Sequence, residues 1–325
     1  MTMSRAVRIR EFGGPEAMKI EQVDLPDPGI GEVTVRQTVI GFNFIDVYQR
    51  RGAYPLPLPT GLGHEAAGVV EAVGPGVADL RAGDRVVYMN AGIGAYADRR
   101  NLPADRLATL PASVSDEDAA AIFFKAMTAQ YLLRRTHRVE PGDLLLVHAA
   151  AGGVGQILCR WAKALGAEVV GTAGSAAKCE IARAAGADHA IDYSKPGWPE
   201  AMLKATGGRK ARVVYDSVGK DTLMASLNSL RPRGSFVSNG TSSGPVVVDS
   251  TLLAVKGSIW MTRPAMIHYA TPRAQMLAMA DELFGLVRSG RIVGEPKQRF
   301  ALADAAQAHR ALESRATVGA TVLVP

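Results

Sequence analysis

The run His148-Ala149-Ala150-Ala151-Gly152-Gly153-Val154-Gly155 carries the clearest chemistry in the chain. Leu144-Leu145-Leu146-Val147 before it reads as a buried strand, and Ile157, Leu158, Trp161, Ala162 and Leu165 after it fall at helical spacing. Strand, glycine-rich turn and helix in that order open a nucleotide-binding βαβ unit. Gly152 lets the backbone approach a pyrophosphate, and Gly155 lets the helix pack close to the strand. The free N–H groups at the helix start suit the anion. Ala150 stands where the first glycine of G-x-G-x-x-G would be, so the flanking strand and helix carry much of this reading.

The second strand indicates which dinucleotide. Glu168-Val169-Val170-Gly171-Thr172-Ala173 ends about twenty residues beyond the glycines, where an NAD-binding fold places Asp or Glu against the ribose 2′-hydroxyl. Here Ala173 is followed by Gly174, Ser175 and Lys178, with no acid until Glu180. Ser175 can donate to a 2′-phosphate, and Lys178 can add a charge-assisted bond of about 1.5–3 kcal/mol. NADPH is therefore expected over NADH; the lesser alternative is that Lys178 only solvates its helix.

These residues need a frame to hold them. At 325 residues the chain is long enough for two domains with full cores. Its 47% hydrophobic and 21% charged residues are ordinary for a globular enzyme. The first 110 or so residues hold short β runs broken by Gly and Pro, such as Val33 to Ile40 and Gly68 to Val73. From Ser115, a predicted helix cap, strands and helices alternate, which implies a doubly wound parallel sheet. Strands are predicted at Glu168 to Ala173, His189 to Ile191, Val213 to Ser217, Ser235 to Val237 and Gly257 to Met261. The tail is read as helices from Ala274 to Ser289 and Ala303 to Ser314, then a strand from Ala320 to Val324.

Net charge is +6, but the basic residues are dispersed and no stripe interleaves them with aromatics, so nucleic-acid binding is not expected as the main function. The start lacks the apolar core of a signal peptide, and no run is long enough to span a membrane. Two cysteines, Cys159 and Cys179, make no disulfide framework. A cytoplasmic protein without membrane contact is expected.

Gly63-His64-Glu65-Ala66-Ala67-Gly68, then Gly74 and Val77, match the G-H-E-x2-G-x5-G-x2-V signature of medium-chain dehydrogenases. With the glycine run, Val213-Val-Tyr-Asp-Ser-Val-Gly219 and Glu313-Ser-Arg-Ala-Thr317, the whole chain resembles the zinc-free, zeta-crystallin-like quinone oxidoreductases of bacteria. The resemblance implies an α/β fold: a GroES-like, mostly β catalytic domain over 1–125, a Rossmann domain over 126–263, and a tail over 264–325 returning to the first domain. It also implies NADPH as reductant, a quinone as acceptor and a homodimer. The apolar strand Ser258-Ile259-Trp260-Met261, last in the sheet, is the edge expected to pair across a two-fold axis.

The resemblance also distributes roles. Asn43 and Tyr131 are implied at the nicotinamide side, Gly153 and Val154 at the pyrophosphate, and Ser175, Lys178 and Tyr193 around the 2′-phosphate. Ser217, Asn239 and Gly240 fall at strand ends facing the cofactor, and Arg315 is similar to the family arginine that reaches it from the tail. Asn43, Asp46, Tyr48, Tyr54 and Lys125 are the candidates for catalysis, as donors to a developing oxyanion or as a ring to stack on. Each has a bland alternative: Tyr48 as core filler, Lys125 as a surface charge, Asp46 as a turn acceptor. In the zinc-dependent branch the histidine matching His64 binds metal, with a cysteine and a hydroxyl residue two positions apart; here those are Asn43 and Ile45. A catalytic zinc needs about three N, S or O ligands, so no metal is expected and His64 is read as lining the cleft. Two other functions fit the same residues: an NADPH-dependent reductase of activated double bonds such as 2-alkenals, and a low-turnover NADPH-binding structural or RNA-binding protein.

Overall fold

The structure is a computed structural model that describes residues 2–314 and 317–325. It forms two compact units, one of Met1–Phe124 with Pro272–Pro325 and one of Lys125–Thr271.

In the first unit, strands β1 (Thr2–Ile9), β2 (Lys19–Leu25), β3 (Glu32–Phe42), β4 (Thr60–Gly61), β5 (Glu65–Val73), β6 (Arg85–Met89), β7 (Arg99–Pro103) and β8 (Leu107–Thr109) precede the first long helix. β3 is the spine, pairing antiparallel with β5 along most of its length and with β7 near its start. Val33 and Val35 of β3 enter a core with Ile9, Leu62 and Tyr96 by alternation, and Ile40 joins them beyond a register shift between Gln37 and Val39. Helix α1 (Phe44–Arg50) leaves the end of β3 directly. Helix α2 (Asp116–Tyr131) starts at Ser115, whose Oγ accepts from the Asp118 N–H at 3.0 Å, and runs across the boundary between the units.

The second unit is built on β9 (Leu144–Val147), β10 (Glu168–Ala173), β11 (His189–Asp192), β12 (Ala211–Asp216), β13 (Leu230–Ser238) and β14 (Trp260–Thr262). All pair in parallel, in the order β11-β10-β9-β12-β13-β14. The order reverses between β9 and β12, and doubly wound sheets bind ligands outside the carboxyl ends of the strands at such a point. Helices α3 (Gly153–Ala164), α4 (Ala176–Ala184), α5 (Trp198–Ala205), α6 (Leu223–Ser229) and α7 (Ser250–Val255) connect the strands. Leu144, Leu146, Val170, Val214 and Phe236 form the core beneath them.

The last strand begins later than the sequence suggests. Gly257 (φ +109°) and Ser258 (φ +55°) occupy left-handed turns, so pairing starts at Trp260. Helix α7 escaped the sequence reading because six residues are too few to display a helical period. The chain then re-enters the first unit with α8 (Arg273–Arg288), β15 (Gln298–Ala301), α9 (Ala305–Glu313) and β16 (Thr321–Val324), the last pairing antiparallel with β3. Among the described residues no helix is long and apolar enough to cross a membrane.

Candidate active site

In the first unit the candidate residues gather where β3 passes into α1. Asn43 is the extended residue before the helix, and its N–H donates to Asp46 Oδ2 at 3.0 Å. Its side-chain Nδ2 donates to Glu65 Oε1 at 2.8 Å, and Glu65 Oε2 accepts from the Phe124 N–H at 2.6 Å. Glu65, which the sequence reading passed over inside its own motif, is fully buried and fixes the orientation of the Asn43 amide.

Asp46, one of the candidates for catalysis, stands in the first turn of α1. Its carboxylate is fully enclosed, and Oδ2 accepts from the Asn43 N–H and from Tyr96 Oη at 2.9 Å. That is the work of a helix-start anchor, near the positive end of the α1 dipole. Tyr48 and Tyr54 lie edge to face with ring centroids 5.3 Å apart, and Phe44 adds a third ring 5.0 Å from Tyr48. Tyr54 is the more open of the two tyrosines, 39% exposed.

His64 is held between two amides, Nδ1 at 3.0 Å from Asn90 Oδ1 and Nε2 at 3.0 Å from Gln49 Oε1. Burial pushes its pKa down to about 4, against the opposing pull of the Asn90 bond, so the ring is neutral at physiological pH. A neutral imidazole carries one N–H, so one of the two amides must present its NH2 to the ring. Gly63 before it has φ +90°, and a Cβ there would come within 2.4 Å of the Tyr96 ring. The signature glycine is thus a packing requirement.

The second unit holds the nucleotide-type features. Ala149 takes φ +50°, and its carbonyl accepts from the Gly152 N–H at 2.9 Å, closing the turn that feeds α3. A Cβ on Gly155 would lie 2.4 Å from Ala149 O and 2.7 Å from Ala150 Cα, both backbone atoms, so only glycine fits. Gly152 caps the helix with no side chain, which leaves the first N–H groups, Gly153 and Val154 among them, to an external acceptor. The departure at Ala150 has a visible compensation: a Cβ on Gly171 of β10 would meet the Ala150 Cβ at 2.8 Å. The glycine missing from the turn is supplied by the neighbouring strand.

At the end of β10, Ser175 Oγ accepts from the Lys178 N–H at 3.3 Å as the cap of α4, which leaves its O–H to donate outward. A Cβ on Gly174 would sit 3.4 Å from Tyr193 Oη, so Gly174, Ser175, Lys178 and Tyr193 share one corner. Asp192, across from Ala173 in the register, was missed by the sequence reading; its Oδ1 accepts from the Ser194 N–H at 3.0 Å and the Ser194 hydroxyl at 2.6 Å.

Further along the sheet, a Cβ on Gly240 would lie 2.7 Å from Ser217 O, so the loops after β12 and β13 touch. Asn239 Oδ1 is buried and has no hydrogen-bond partner among the described residues, an acceptor that a ligand N–H would satisfy. Tyr131 stacks on Tyr269 at 4.6 Å and 13°. Burial raises its phenol pKa, so it remains a donor. Lys125 is only 5% exposed, which removes the surface-charge alternative. Arg263, another residue the sequence did not flag, donates to Ser238 Oγ at 3.1 Å beside this loop. Arg315 lies outside the described residues.

The glycine turn, the open corner at Ser175 and the orphaned Asn239 acceptor together fit a phosphorylated dinucleotide. They do not fit zinc. Among the described residues no group of three or more His, Cys, Asp or Glu side chains is placed to hold a metal, and both His64 nitrogens face amides.

Residues 29–112 match the family described as the alcohol dehydrogenase GroES-like domain, and residues 153–280 match the zinc-binding dehydrogenase family. The chain is 48% identical to a quinone oxidoreductase of Pseudomonas aeruginosa over 99% of this chain and 100% of that protein. It is 44% identical to a 2-haloacrylate reductase of a Burkholderia species, covering 99% of both chains. Among solved structures, the Escherichia coli quinone oxidoreductase complexed with NADPH superposes with a TM-score of 0.97 at 47% identity, over 99% of this chain and 100% of that one. With its β-rich first unit, its parallel nucleotide-type sheet and near-complete coverage of these relatives, the chain belongs to the quinone oxidoreductase family of medium-chain dehydrogenases.

Proposed function

We propose that the protein is an NADPH-dependent quinone reductase that works without a metal. One observation carries this reading most strongly. Gly174, Ser175, Lys178 and Tyr193 converge on a corner where Ala173 replaces the usual acid, and the nearby Asp192 is engaged by Ser194. Relatives named quinone oxidoreductases, one of them solved with NADPH, support it.

When bound, NADPH supplies the hydride. The Gly153 and Val154 N–H groups would hold its pyrophosphate, the Ser175 hydroxyl, Lys178 and Tyr193 its 2′-phosphate, and Ser217, Asn239, Gly240 and Tyr131 the nicotinamide half. Negative charge develops on the acceptor's oxygen as the hydride arrives. Asn43, oriented by Glu65, and Tyr48 are neutral donors for it, Lys125 is a cation, and Tyr54 offers a flat ring face. Asp46 acts through the fold, by holding the start of α1.

The Burkholderia relative favours one alternative acceptor, a double bond conjugated to a carbonyl, which the same hydride and donors would serve. Initial rates with 1,4-benzoquinone, 9,10-phenanthrenequinone and a 2-alkenal separate the two. The quinones are expected to turn over faster; an enzyme inert to quinones but active on the alkenal takes the second reading.

Metal independence follows from the donor set. Prolonged dialysis against EDTA should leave quinone reduction unchanged. Activity that vanishes with the chelator and returns with zinc would contradict the proposal.

We also propose a cytoplasmic homodimer joined through β14. Both cysteines are free thiols, in keeping with a reducing compartment. β14 ends the sheet, and Trp260 (71%), Val247 (82%) and Val255 (78%) are strongly exposed apolar side chains of the same unit. An uncovered apolar edge invites pairing, and a two-fold axis would bury both edges at once. Light scattering should return twice the chain mass, with Trp260→Lys shifting the protein to monomer; a wild-type monomer at micromolar concentration would refute it.

A further inference from the structure

A chain of buried polar groups runs beneath the turns of the second unit. His148 directly follows β9, Thr172 lies near the end of β10, and Asp216 ends β12; none is more than 2% exposed. Ser226 and Thr222, at and before α6, complete the set. Asp216 Oδ1 accepts from the Val218 and Gly219 N–H groups at 2.8 and 2.9 Å. Oδ2 accepts from Thr222 Oγ1 at 2.7 Å and Ser226 Oγ at 2.9 Å. His148 Nε2 lies 2.9 Å from Ser226 Oγ, and Nδ1 lies 2.7 Å from Thr172 Oγ1.

The carboxylate fixes every proton in this chain. Asp216 can only accept, so Ser226 spends its one O–H on it and must accept from His148. His148 is therefore the Nε2–H tautomer, and its Nδ1 accepts from the Thr172 hydroxyl. Trp198 closes over the ring edge to face at 5.4 Å. Burial keeps the ring neutral against the pull of Asp216, 3.9 Å away.

Each anchor immediately precedes a loop that carries a proposed nucleotide contact. After His148 comes Ala149, the left-handed residue of the glycine turn; after Thr172 come Ala173, Gly174 and Ser175; after Asp216 comes Ser217. The backbone repeats the linkage, with Ala150 N–H donating to Thr172 O at 2.9 Å and Asn239 N–H to Asp216 O at 2.8 Å. Resting on the NADPH reading above, we infer that His148 is a positioning residue of the nucleotide site. In its Nε2–H form it locks the glycine turn, the Ser175 loop and the Ser217 loop into one register.

The test pairs nucleotide affinity with the tautomer itself. In the wild-type protein, nitrogen NMR should find His148 Nε2 protonated and Nδ1 bare between about pH 7 and 8. His148→Ala should raise the NADPH Kd by about tenfold or more, which is about 1.4 kcal/mol. The kcat with saturating NADPH should fall by less than about threefold, since the lost interaction is with nucleotide placement and not with the hydride step. His148→Gln, whose amide can still donate to Ser226, should recover most of the affinity. Ser226→Ala, which removes a single hydroxyl, should lose it and decides the matter should His148→Ala fail to fold. NADPH affinities within about twofold of wild type in folded His148→Ala or Ser226→Ala protein would overturn the inference. So would the opposite tautomer. The NMR result needs no nucleotide, so wild-type protein that shows the tautomer yet ignores NADPH would defeat the functional reading instead.

Discussion

Gly155→Ala should cost the protein about two orders of magnitude in NADPH affinity, about 2.8 kcal/mol, which is the loss of one or two hydrogen bonds to a charged group at about 1.5–3 kcal/mol each. The new Cβ would sit 2.4 Å from Ala149 O and 2.7 Å from Ala150 Cα. Neither atom belongs to a side chain that could swing aside, so α3 or the turn itself must move. That shift carries the Gly153 and Val154 N–H groups away from any pyrophosphate they hold, and overpacking adds a stability loss of about 1–3 kcal/mol. Gly152→Ala makes an informative companion, since its closest contact, Ala149 O at 3.1 Å, is looser, and its effect should be smaller. Titration of NADPH against both variants by fluorescence checks this. Equal affinities in Gly155→Ala and wild type would mean that the turn does not bind the nucleotide.

Glu313→Gln should destabilise the protein by about 3–5 kcal/mol, the usual cost of stranding a buried charge. The Arg50 side chain is fully buried, and its Nη2 donates to Glu313 Oε1 at 2.7 Å. Its Nε and Nη1 have no hydrogen-bond partner among the described residues. The exposed Arg51 also reaches Glu313, at 2.5 Å, but loses less because water can replace the carboxylate. The pair joins α1, which carries Tyr48 and follows directly on Asn43, to α9 of the returning tail. Tyr96 makes a second link there, donating to Asp46 and lying 3.2 Å from His309 Nε2. Urea unfolding should show the loss as a lower midpoint. Arg50→Met with Glu313→Leu should restore much of it, because an apolar pair of similar volume leaves no charge behind. A Glu313→Gln protein within about 1 kcal/mol of wild type would place Arg50 in effective contact with water.

The parts of this molecule legible in its sequence are those with short-range causes. The glycine turn, the cap at Ser115 and the apolar alternation of β3 each declare themselves within a few residues. The corner at Gly174, Ser175 and Lys178 was also readable, because those residues are sequential. Tyr193 and Asp192, which complete that corner, arrive from the next strand and reached the reading only through resemblance or not at all. Ala150 looked like a defect because its compensating glycine, Gly171, lies in a different strand. Asp46 looked catalytic because an acid beside Asn43 and Tyr48 is chemically suggestive; only its enclosure beneath Tyr96 reveals the anchoring role. Arg50 with Glu313 joins residues 263 positions apart, a separation that no local pattern announces.

The central claim is reduction of a quinone by NADPH held at the Ser175 corner. Initial rates of NADPH and NADH oxidation with 1,4-benzoquinone, for wild type and Lys178→Ala, test it most directly. We expect quinone-dependent oxidation with kcat/KM at least about tenfold higher for NADPH, a difference of about 1.4 kcal/mol that one charge-assisted bond can supply. Lys178→Ala should erase most of that preference and leave the NADH rate nearly unchanged. Equal kcat/KM for the two nucleotides in wild type, or no quinone-dependent oxidation of either, would contradict it.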